Sequence, residues 1–356
     1  MHASIRLVAM ALVAACAVAL GEGQATAAPP APQINGDTDL ARVVQELAGP
    51  EHQTIAAAVV DENGTRVAAV GAGLDDRFEI GSISKTVTGL LLADAISRDE
   101  VQPDTAVGTL LPELRGASAE RITLAQLATH RSGLPVQPLT AEQFARNQWA
   151  QLTGSFPYRD TTAKRLAEVR TFPLDSPPGT YSNVGYEVLG AALASAGHAR
   201  FDDLARDRIL KPLGLQNADE LVDPGQLTSL DLRGKDTTGR TVEPWIGESM
   251  APASGVRADI TDMGRYADVL LEGTAPGMDA LTPTADFGSS RIGWAWITTT
   301  TDDGHQITWH DGQTSGFAAY IGIDRQRGTA AVVLTATGKS VVAVGEKLLA
   351  QAASQN

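Results

Sequence analysis

The chain has 356 residues, of which 43% are hydrophobic and 20% charged. This balance is typical of a folded chain with one large domain or two lobes, and it excludes a mostly disordered protein. The formal net charge of −14, without any lysine-rich block, argues against a nucleic-acid partner.

The first 27 residues predict an export signal. Arg6 gives a positive start, an unbroken apolar run follows from Leu7 to Leu20, and Ala25-Thr26-Ala27 offers a cleavage site. The run is too short to span a bilayer comfortably. We therefore expect a secreted or extracytoplasmic protein, cleaved near Ala27, whose mature chain has no transmembrane segment.

Cys16 is the single cysteine. Lipoprotein processing at Cys16 is the alternative to cleavage near Ala27, but the apolar run continues past this residue, which favours Ala27. After that cleavage no cysteine nucleophile, disulfide or thiolate metal ligand would remain. The sequence also lacks an H-E-x-x-H zinc motif, so we expect neither a metal nor a cofactor.

The segment 28–37, rich in alanine and proline, predicts a flexible leader. The folded domain is expected at 38–356, beginning with a helix through about Leu47 capped by Asp37 or Asp39. Its α/β lobe would comprise 38–96 and 256–356, and its helical lobe 97–255.

Both ends of the folded domain contain β-prone segments. Near the start, Asn63-Gly64 favours a tight hairpin turn between two of them. The predicted strands are Ile55 to Val60, Arg66 to Ala72, Ile292 to Thr298, His305 to His310, Phe317 to Ile323 and Thr329 to Ala336. A final helix is expected from about Val341 to Ala353.

This distribution predicts an α/β fold. We expect an antiparallel five-stranded sheet built from both chain ends, flanked by helices, with the mainly helical lobe inserted between them. A site would then lie in the cleft between the lobes. Oligomeric state is not predicted.

The first chemical motif is Ser82-x-x-Lys85, at the start of a long apolar helix that runs to about Ile96. A spacing of three places both side chains on one helix face. A serine hydroxyl needs a base to remove its proton before it can attack a carbonyl group. Lys85 lies one turn away from such a nucleophile.

The second motif is Tyr181-x-Asn183. Tyrosine and lysine have ordinary pKa values near 10, so one of them must be lowered before it can act as a base. We expect Tyr181 to be the base or proton shuttle, Lys85 its electrostatic partner, and Asn183 an amide that orients Lys85 and binds the substrate carbonyl.

The third motif is His310-Asp311-Gly312 on a predicted strand, which would present His310 and Gly312 to one face. Gly312 allows the backbone to approach substrate closely, and the amide of Gln313 is expected to form an oxyanion hole with that of Ser82. His310 would bind substrate. His130, in THRSGLP, is expected only to pack or cap at a helix end.

These residues resemble the penicillin-recognising serine hydrolases, which include class C β-lactamases, secreted D-alanyl-D-alanine carboxypeptidases and family VIII esterases. The likeness extends from about Thr54 to Ala336. It includes FEIGSISKT, ITLAQLATHRSGLP, PPGTYSNVGYEVLG, ASGVRADITDMGRYADVLLEG and WHDGQTSGF. The resemblance implies the β-lactamase/transpeptidase-like fold, with Ser82, Lys85 and Tyr181 catalytic and Asn183, His310 and Gly312 assisting.

Within that group, histidine at position 310 is more like the carboxypeptidases and some esterases than the class C β-lactamases. The expected function is therefore D-alanyl-D-alanine carboxypeptidase-like hydrolysis through an acyl-enzyme, with Thr314, Ser315 and Arg257 as candidates to bind the substrate carboxylate. A β-lactamase or a carboxylesterase is the alternative within the group. A penicillin-binding sensor without turnover is the alternative of another class.

Overall fold

The computed structural model describes residues 32–354. The predicted export signal, Cys16 and the cleavage position near Ala27 lie outside the described residues. Within 32–354, no helix combines the length and apolar character that a bilayer crossing requires.

The described chain contains twelve strands and eleven α-helices. The strands are β1 Ile34–Gly36, β2 Ile55–Asp61, β3 Gly64–Val70, β4 Phe78–Glu79, β5 Asp219–Glu220, β6 Val256–Ala258, β7 Ala285–Phe287, β8 Ser290–Ile292, β9 Ile297–Thr300, β10 Gln306–Gln313, β11 Ala318–Asp324 and β12 Thr329–Thr335. The helices are α1 Thr38–Ala48, α2 Ser84–Ser97, α3 Val107–Leu110, α4 Leu124–Ala128, α5 Ala141–Thr153, α6 Thr162–Val169, α7 Asn183–Ala196, α8 Phe201–Ala205, α9 Ala251–Ser254, α10 Ile260–Glu272 and α11 Val342–Ala353.

Nine strands form one antiparallel sheet in the order β1-β3-β2-β12-β11-β10-β9-β8-β7. In its centre Ala57 of β2 lies between Val333 of β12 and Ala68 of β3, so the two ends of the domain are joined strand to strand. The α/β fold with a sheet from both chain ends is confirmed.

The expected number of five strands is wrong, because the sheet has nine. Five of them, β2, β3, β10, β11 and β12, have seven or eight residues and therefore show a clear pattern in the sequence. The other four have only three or four residues, too few for an alternation of side chains to be recognised. One of them, β1, occupies part of the segment expected to be a flexible leader and pairs with β3.

The predicted strand from Ile292 to Thr298 is also wrong. The chain turns between β8 and β9, where Ala295 has φ of 73° and the amide of Gly293 donates to the carbonyl of Trp296. Trp294 and Trp296 are buried in the core on either side of this turn. Packing of the indoles therefore overrides the local β propensity.

Successive side chains of the long strands point alternately into two hydrophobic cores, one on each face of the sheet. Ile55, Ala57 and Val59 of β2 pack in a cluster with α1 and α11 on one face of the sheet. Ala56 and Ala58 face the other cluster, which includes α2, α7 and α10. This period of two buries both faces of the sheet.

The hairpin predicted at Asn63-Gly64 is confirmed. Asp61 pairs with Gly64, which has φ of 100°, and the Asp61 carboxylate accepts the amide of Asn63. The region between α2 and β6 contains the helices α3 to α9 and the short strand β5. It supplies α7 and α9, which pack against α2.

Candidate active site

Ser82 lies in a single 3₁₀ turn, Gly81–Ile83, immediately before α2. The helix therefore begins two residues later than the sequence predicted. Ser84 anchors the turn, because its hydroxyl donates to the carbonyl of Gly81 at 2.7 Å and accepts the amide of Val256 at 3.0 Å. Ser82 is left half-buried at the start of the helix.

The turn is pressed against strand β10. Gly81 has φ of 54°, and a Cβ there would lie 2.6 Å from the amide nitrogen of Gln313. A Cβ at Gly312 would lie 1.9 Å from the carbonyl oxygen of Ile80 and 3.0 Å from the amide nitrogen of Ser82. Only glycine permits this approach, which brings the two amides of the predicted oxyanion hole to the same junction.

Lys85 is fully buried, and its amine makes three hydrogen bonds. Nζ lies 3.0 Å from Oγ of Ser82, 2.7 Å from Oδ1 of Asn183 and 2.8 Å from the carbonyl oxygen of Ala253. The partners come from the 3₁₀ turn before α2, from α7 and from α9, so three separate elements fix the position of one nitrogen. The structure thus brings together the serine, the lysine and the asparagine.

Tyr181 lies on the same side of the cluster. Its ring centroid is 4.9 Å from Nζ of Lys85. Ser182, between Tyr181 and Asn183, is the N-cap of α7, and its hydroxyl accepts the amide of Gly185 at 2.9 Å. The cap therefore fixes the backbone that carries both predicted site residues.

The pKa values of the lysine and the tyrosine shift in opposite directions. Burial lowers the pKa of Lys85 to about 7, against the opposing effect of the negative charges on Glu187 and Asp311. Burial raises the pKa of Tyr181 above its ordinary value, against the effect of its hydrogen bond with Ser82. The group with the lowered pKa is thus Lys85, whereas the sequence interpretation made Tyr181 the base.

His310 is buried in β10, and its Nδ1 lies 2.5 Å from the carbonyl oxygen of Asp311. Because a carbonyl only accepts, Nδ1 carries the hydrogen. Burial lowers the pKa of His310 to about 4, with the charge of Asp311 acting against this effect. The imidazole is therefore neutral at neutral pH.

The side chains of Gln313 and Thr314, which follow Gly312, make hydrogen bonds within the protein. The Gln313 side chain is exposed, and its amide donates to the carbonyl of Gly338 at 2.7 Å. The hydroxyl of Thr314 accepts the amides of Gly316 and Phe317 at 3.3 and 3.2 Å. Thr314 thereby stabilises the turn after β10.

Arg257 is buried on β6 and makes ion pairs with Glu79 at 2.6 Å and Asp231 at 3.4 Å. Its guanidinium is thus already neutralised by two carboxylates. Ser315, the other carboxylate-binding candidate beside Thr314, is exposed and accepts the indole N–H of Trp245 at 3.1 Å.

A cavity of about 520 Å³ opens beside the end of β10. Gln313, Thr314 and Ser315 form part of its wall, and Tyr158 and Trp245 contribute aromatic surface. The cavity reaches the proposed oxyanion hole only through Gln313, which is part of its wall. No cluster of three or more metal-ligating side chains occurs among residues 32–354.

Sequence reasoning expected His130 only to pack or cap at a helix end, and it missed Glu187. His130 stacks on Tyr181, with ring centroids 4.4 Å apart. Glu187 is buried one helical turn after Asn183, pairs with Arg165, and influences the charge of Lys85. The spacing of four between Asn183 and Glu187 was a usable signal, since it places both on one face of a helix.

The family described as Beta-lactamase matches residues 40–354. The chain belongs to the β-lactamase family. The resemblance to penicillin-recognising serine hydrolases is therefore confirmed at the level of the family.

Among curated members of the β-lactamase family, a beta-lactamase of Lysobacter lactamgenus is 27% identical over 201 residues, which cover 56% of this chain and 48% of that one. The chain thus spans about half the length of this relative. Penicillin-binding protein 4 of Amycolatopsis lactamdurans is 26% identical over 300 residues, covering 77% of this chain and 75% of that one.

A solved structure of a beta-lactamase/D-alanine carboxypeptidase from Pseudomonas syringae has a TM-score of 0.72 and 19% sequence identity, covering 90% of this chain and 99% of that one. At this identity the similarity supports the fold alone.

Proposed function

We propose that this member of the β-lactamase family is an exported serine hydrolase that works through an acyl-enzyme on Ser82. The observation that carries the proposal is the 3.0 Å contact between Nζ of Lys85 and Oγ of Ser82, made by an amine that is fully buried. The export part rests on the N-terminal sequence pattern.

The hydrogen bonds of Lys85 suit a base. A neutral amine has two hydrogens and one lone pair. Its two hydrogens would go to the oxygens of Asn183 and Ala253, which can only accept, and its lone pair would then face the hydroxyl of Ser82. With a pKa of about 7, a large fraction of Lys85 is neutral at neutral pH.

In the acylation step, the Ser82 proton passes to Nζ of Lys85 as Oγ bonds to the substrate carbonyl carbon. The carbonyl oxygen becomes an oxyanion, for which the amides of Ser82 and Gln313, which lie at the junction of the Gly81 turn and β10, would be the backbone donors. The tetrahedral intermediate collapses, and the leaving group takes the proton back from Lys85, directly or through the phenol of Tyr181. Water then repeats these steps on the acyl-enzyme and releases Ser82.

The substrate classes are a D-alanyl-D-alanine peptide, a β-lactam and an ester. The carboxypeptidase and β-lactam candidates are supported by the names of the relatives. The peptide carries a terminal carboxylate, however, and in this site His310 is neutral and Arg257 is already paired with Glu79 and Asp231.

This electrostatic setting favours a second candidate, a neutral ester. An ester has no carboxylate that needs a cation, and an alkoxide is a better leaving group than an amide anion. The cavity beside β10, with its aromatic wall, would accommodate the acyl or alcohol portion.

A parallel turnover assay tests the proposal. The wild-type protein and a Ser82→Ala variant are incubated with a D-alanyl-D-alanine peptide, a chromogenic cephalosporin and a short-chain nitrophenyl ester. We expect steady turnover of at least one substrate by the wild type and none by the variant. A burst without steady turnover would instead identify a penicillin-binding sensor, and equal rates for both proteins would overturn the proposal.

Amino-terminal sequencing of protein recovered from culture medium tests export.

A further inference from the structure

The THRSGLP segment has no chemical role in the mechanism above, yet it lies against the segment that carries Tyr181. His130 follows helix α4, is 2% exposed, and has φ of 55°. A non-glycine residue in this left-handed region is uncommon, and it persists where the surrounding structure requires it.

His130 binds the backbone on both sides of Tyr181. Its carbonyl oxygen accepts the amide of Gly179 at 3.0 Å, and its Nδ1 accepts the amide of Ser182 at 3.0 Å. The two hydrogen bonds therefore hold the residues before and after the phenol to a single residue.

The neighbouring loop continues this contact into α7. The carbonyl of Pro135 accepts the hydroxyl of Ser182 at 2.7 Å, and the carbonyl of Val136 accepts the amide of Asn183 at 3.1 Å. The loop from His130 to Val136 thus positions both members of the Tyr181-x-Asn183 motif.

The imidazole also restricts the phenol directly. The ring of His130 lies 4.4 Å from that of Tyr181 at an interplanar angle of 33°, and 5.2 Å from that of Tyr186. The phenol of Tyr181 is therefore in contact with this ring, and the amine of Lys85 lies 4.9 Å from the centroid of the phenol.

Binding of the Ser182 amide requires one protonation state of His130. A backbone amide only donates, so Nδ1 of His130 must be unprotonated and the hydrogen must be on Nε2. Burial holds the pKa of His130 well below its ordinary value, and the protonated forms of Lys85 and His310 would lower it further. The other titratable groups packed against the ring, Tyr181 and Tyr186, have raised pKa values and remain neutral.

We propose that His130 is a positioning residue that fixes Tyr181 and Asn183 against Lys85 by binding the backbone on both sides of Tyr181. It acts through these residues and not on the substrate. The proposal rests on the proposed function for its catalytic consequence, but the backbone contacts can be tested independently of turnover.

Two variants separate the acceptor from the rest of the side chain. His130→Asn places an oxygen where Nδ1 was, at the same number of bonds from Cα, and asparagine tolerates positive φ. His130→Leu has the same branching without an acceptor. Rates are expressed per acylatable site, counted by labelling with a fluorescent penicillin, so that loss of folded protein does not count as loss of catalysis.

We expect His130→Leu to lower kcat per labelled site by about 10- to 100-fold, because a small displacement of catalytic groups is costly. The Asn variant should remain close to the wild type. Equal kcat per site in all three proteins would overturn the positioning role.

Residue-resolved hydrogen exchange provides the measurement that does not depend on turnover. The amide of Gly179 bonds to the carbonyl of His130, which every variant retains, so it serves as an internal control. We expect the Ser182 amide to exchange about tenfold faster in the Leu variant, corresponding to the loss of one hydrogen bond, and at the wild-type rate in the Asn variant.

An unchanged exchange rate of the Ser182 amide in the Leu variant would overturn the proposal. Equal acceleration of exchange at Ser182 and Gly179 would also overturn it, because it would indicate general loosening of the loop. If the wild type turns over no substrate, the proposed function fails, and the exchange data still decide whether His130 positions Tyr181.

Discussion

The amine of Lys85 donates a hydrogen bond of 2.7 Å to Oδ1 of Asn183, although 98 residues separate the two in the chain. This contact joins the first turn of α2 to the first turn of α7. It brings the Ser82-x-x-Lys85 and Tyr181-x-Asn183 motifs into one cluster, although each motif alone is short and gives only weak evidence of function.

Replacing Lys85 tests its role as the base. Lys85→Met should lower kcat for ester hydrolysis by about 10²- to 10⁴-fold, the range for loss of a general base. Lys85→Arg should be similarly impaired, because a guanidinium stays protonated. The matched control is Lys347→Met, at an exposed lysine on α11. Retention of most activity by the Met variant, with wild-type melting temperature, would remove Lys85 from the mechanism.

The pH dependence follows from the lowered pKa of Lys85. Below about pH 7 the amine is protonated and cannot accept the Ser82 proton, and above it the neutral form dominates. The ratio kcat/KM should therefore rise with pH through a midpoint near 7. Tyr181→Phe should lower the rate but keep this midpoint, because the phenol is not the titrating group. A profile that is flat between pH 6 and 8 would contradict the assignment.

Glu187 should tune that midpoint. Its negative charge stabilises the protonated form of Lys85 and so raises the pKa of the amine. Glu187→Gln should move the rising part of the pH profile to lower pH. Glu168→Gln is the matched control, since Glu168 also pairs with Arg165 but does not contribute to the pKa of Lys85. Equal midpoints in both variants would show that Glu187 is only a structural partner of Arg165.

Gly312 should tolerate no side chain. A methyl group there would lie 1.9 Å from the carbonyl oxygen of Ile80, so Gly312→Ala must push β10 away from the Ser82 turn. We expect it to lower the free energy of unfolding in urea by about 1–3 kcal/mol, as overpacking does, and to abolish most activity. Gly73→Ala is the control, because its nearest neighbour would be 3.5 Å away. Equal behaviour of the two variants would contradict the tight junction.

Much of the fold follows from local pattern. The five long strands are visible in the sequence because each runs for seven or eight residues with alternating or continuous apolar character. The turn at Ala295 is not visible, since nothing local distinguishes alanine with positive φ from alanine in a strand. It depends on how Trp294 and Trp296 pack in the finished core.

Part of the candidate site could likewise be predicted from the sequence, and part could not. Ser82 and Lys85 follow from a helical spacing of three, and Tyr181 and Asn183 from a short motif. Which of the lysine and the tyrosine has the lowered pKa does not follow, because burial is a property of the assembled protein. For the same reason, the sequence does not predict that Arg257 is paired with Glu79 and Asp231.

The most direct measurement is the intact mass of the protein after brief exposure to a penicillin, followed by peptide mapping of the adduct. We expect one added acyl group, located on the peptide that contains Ser82, and no adduct on Ser82→Ala. An adduct on any other residue, or the same adduct on the Ala variant, would contradict Ser82 as the nucleophile.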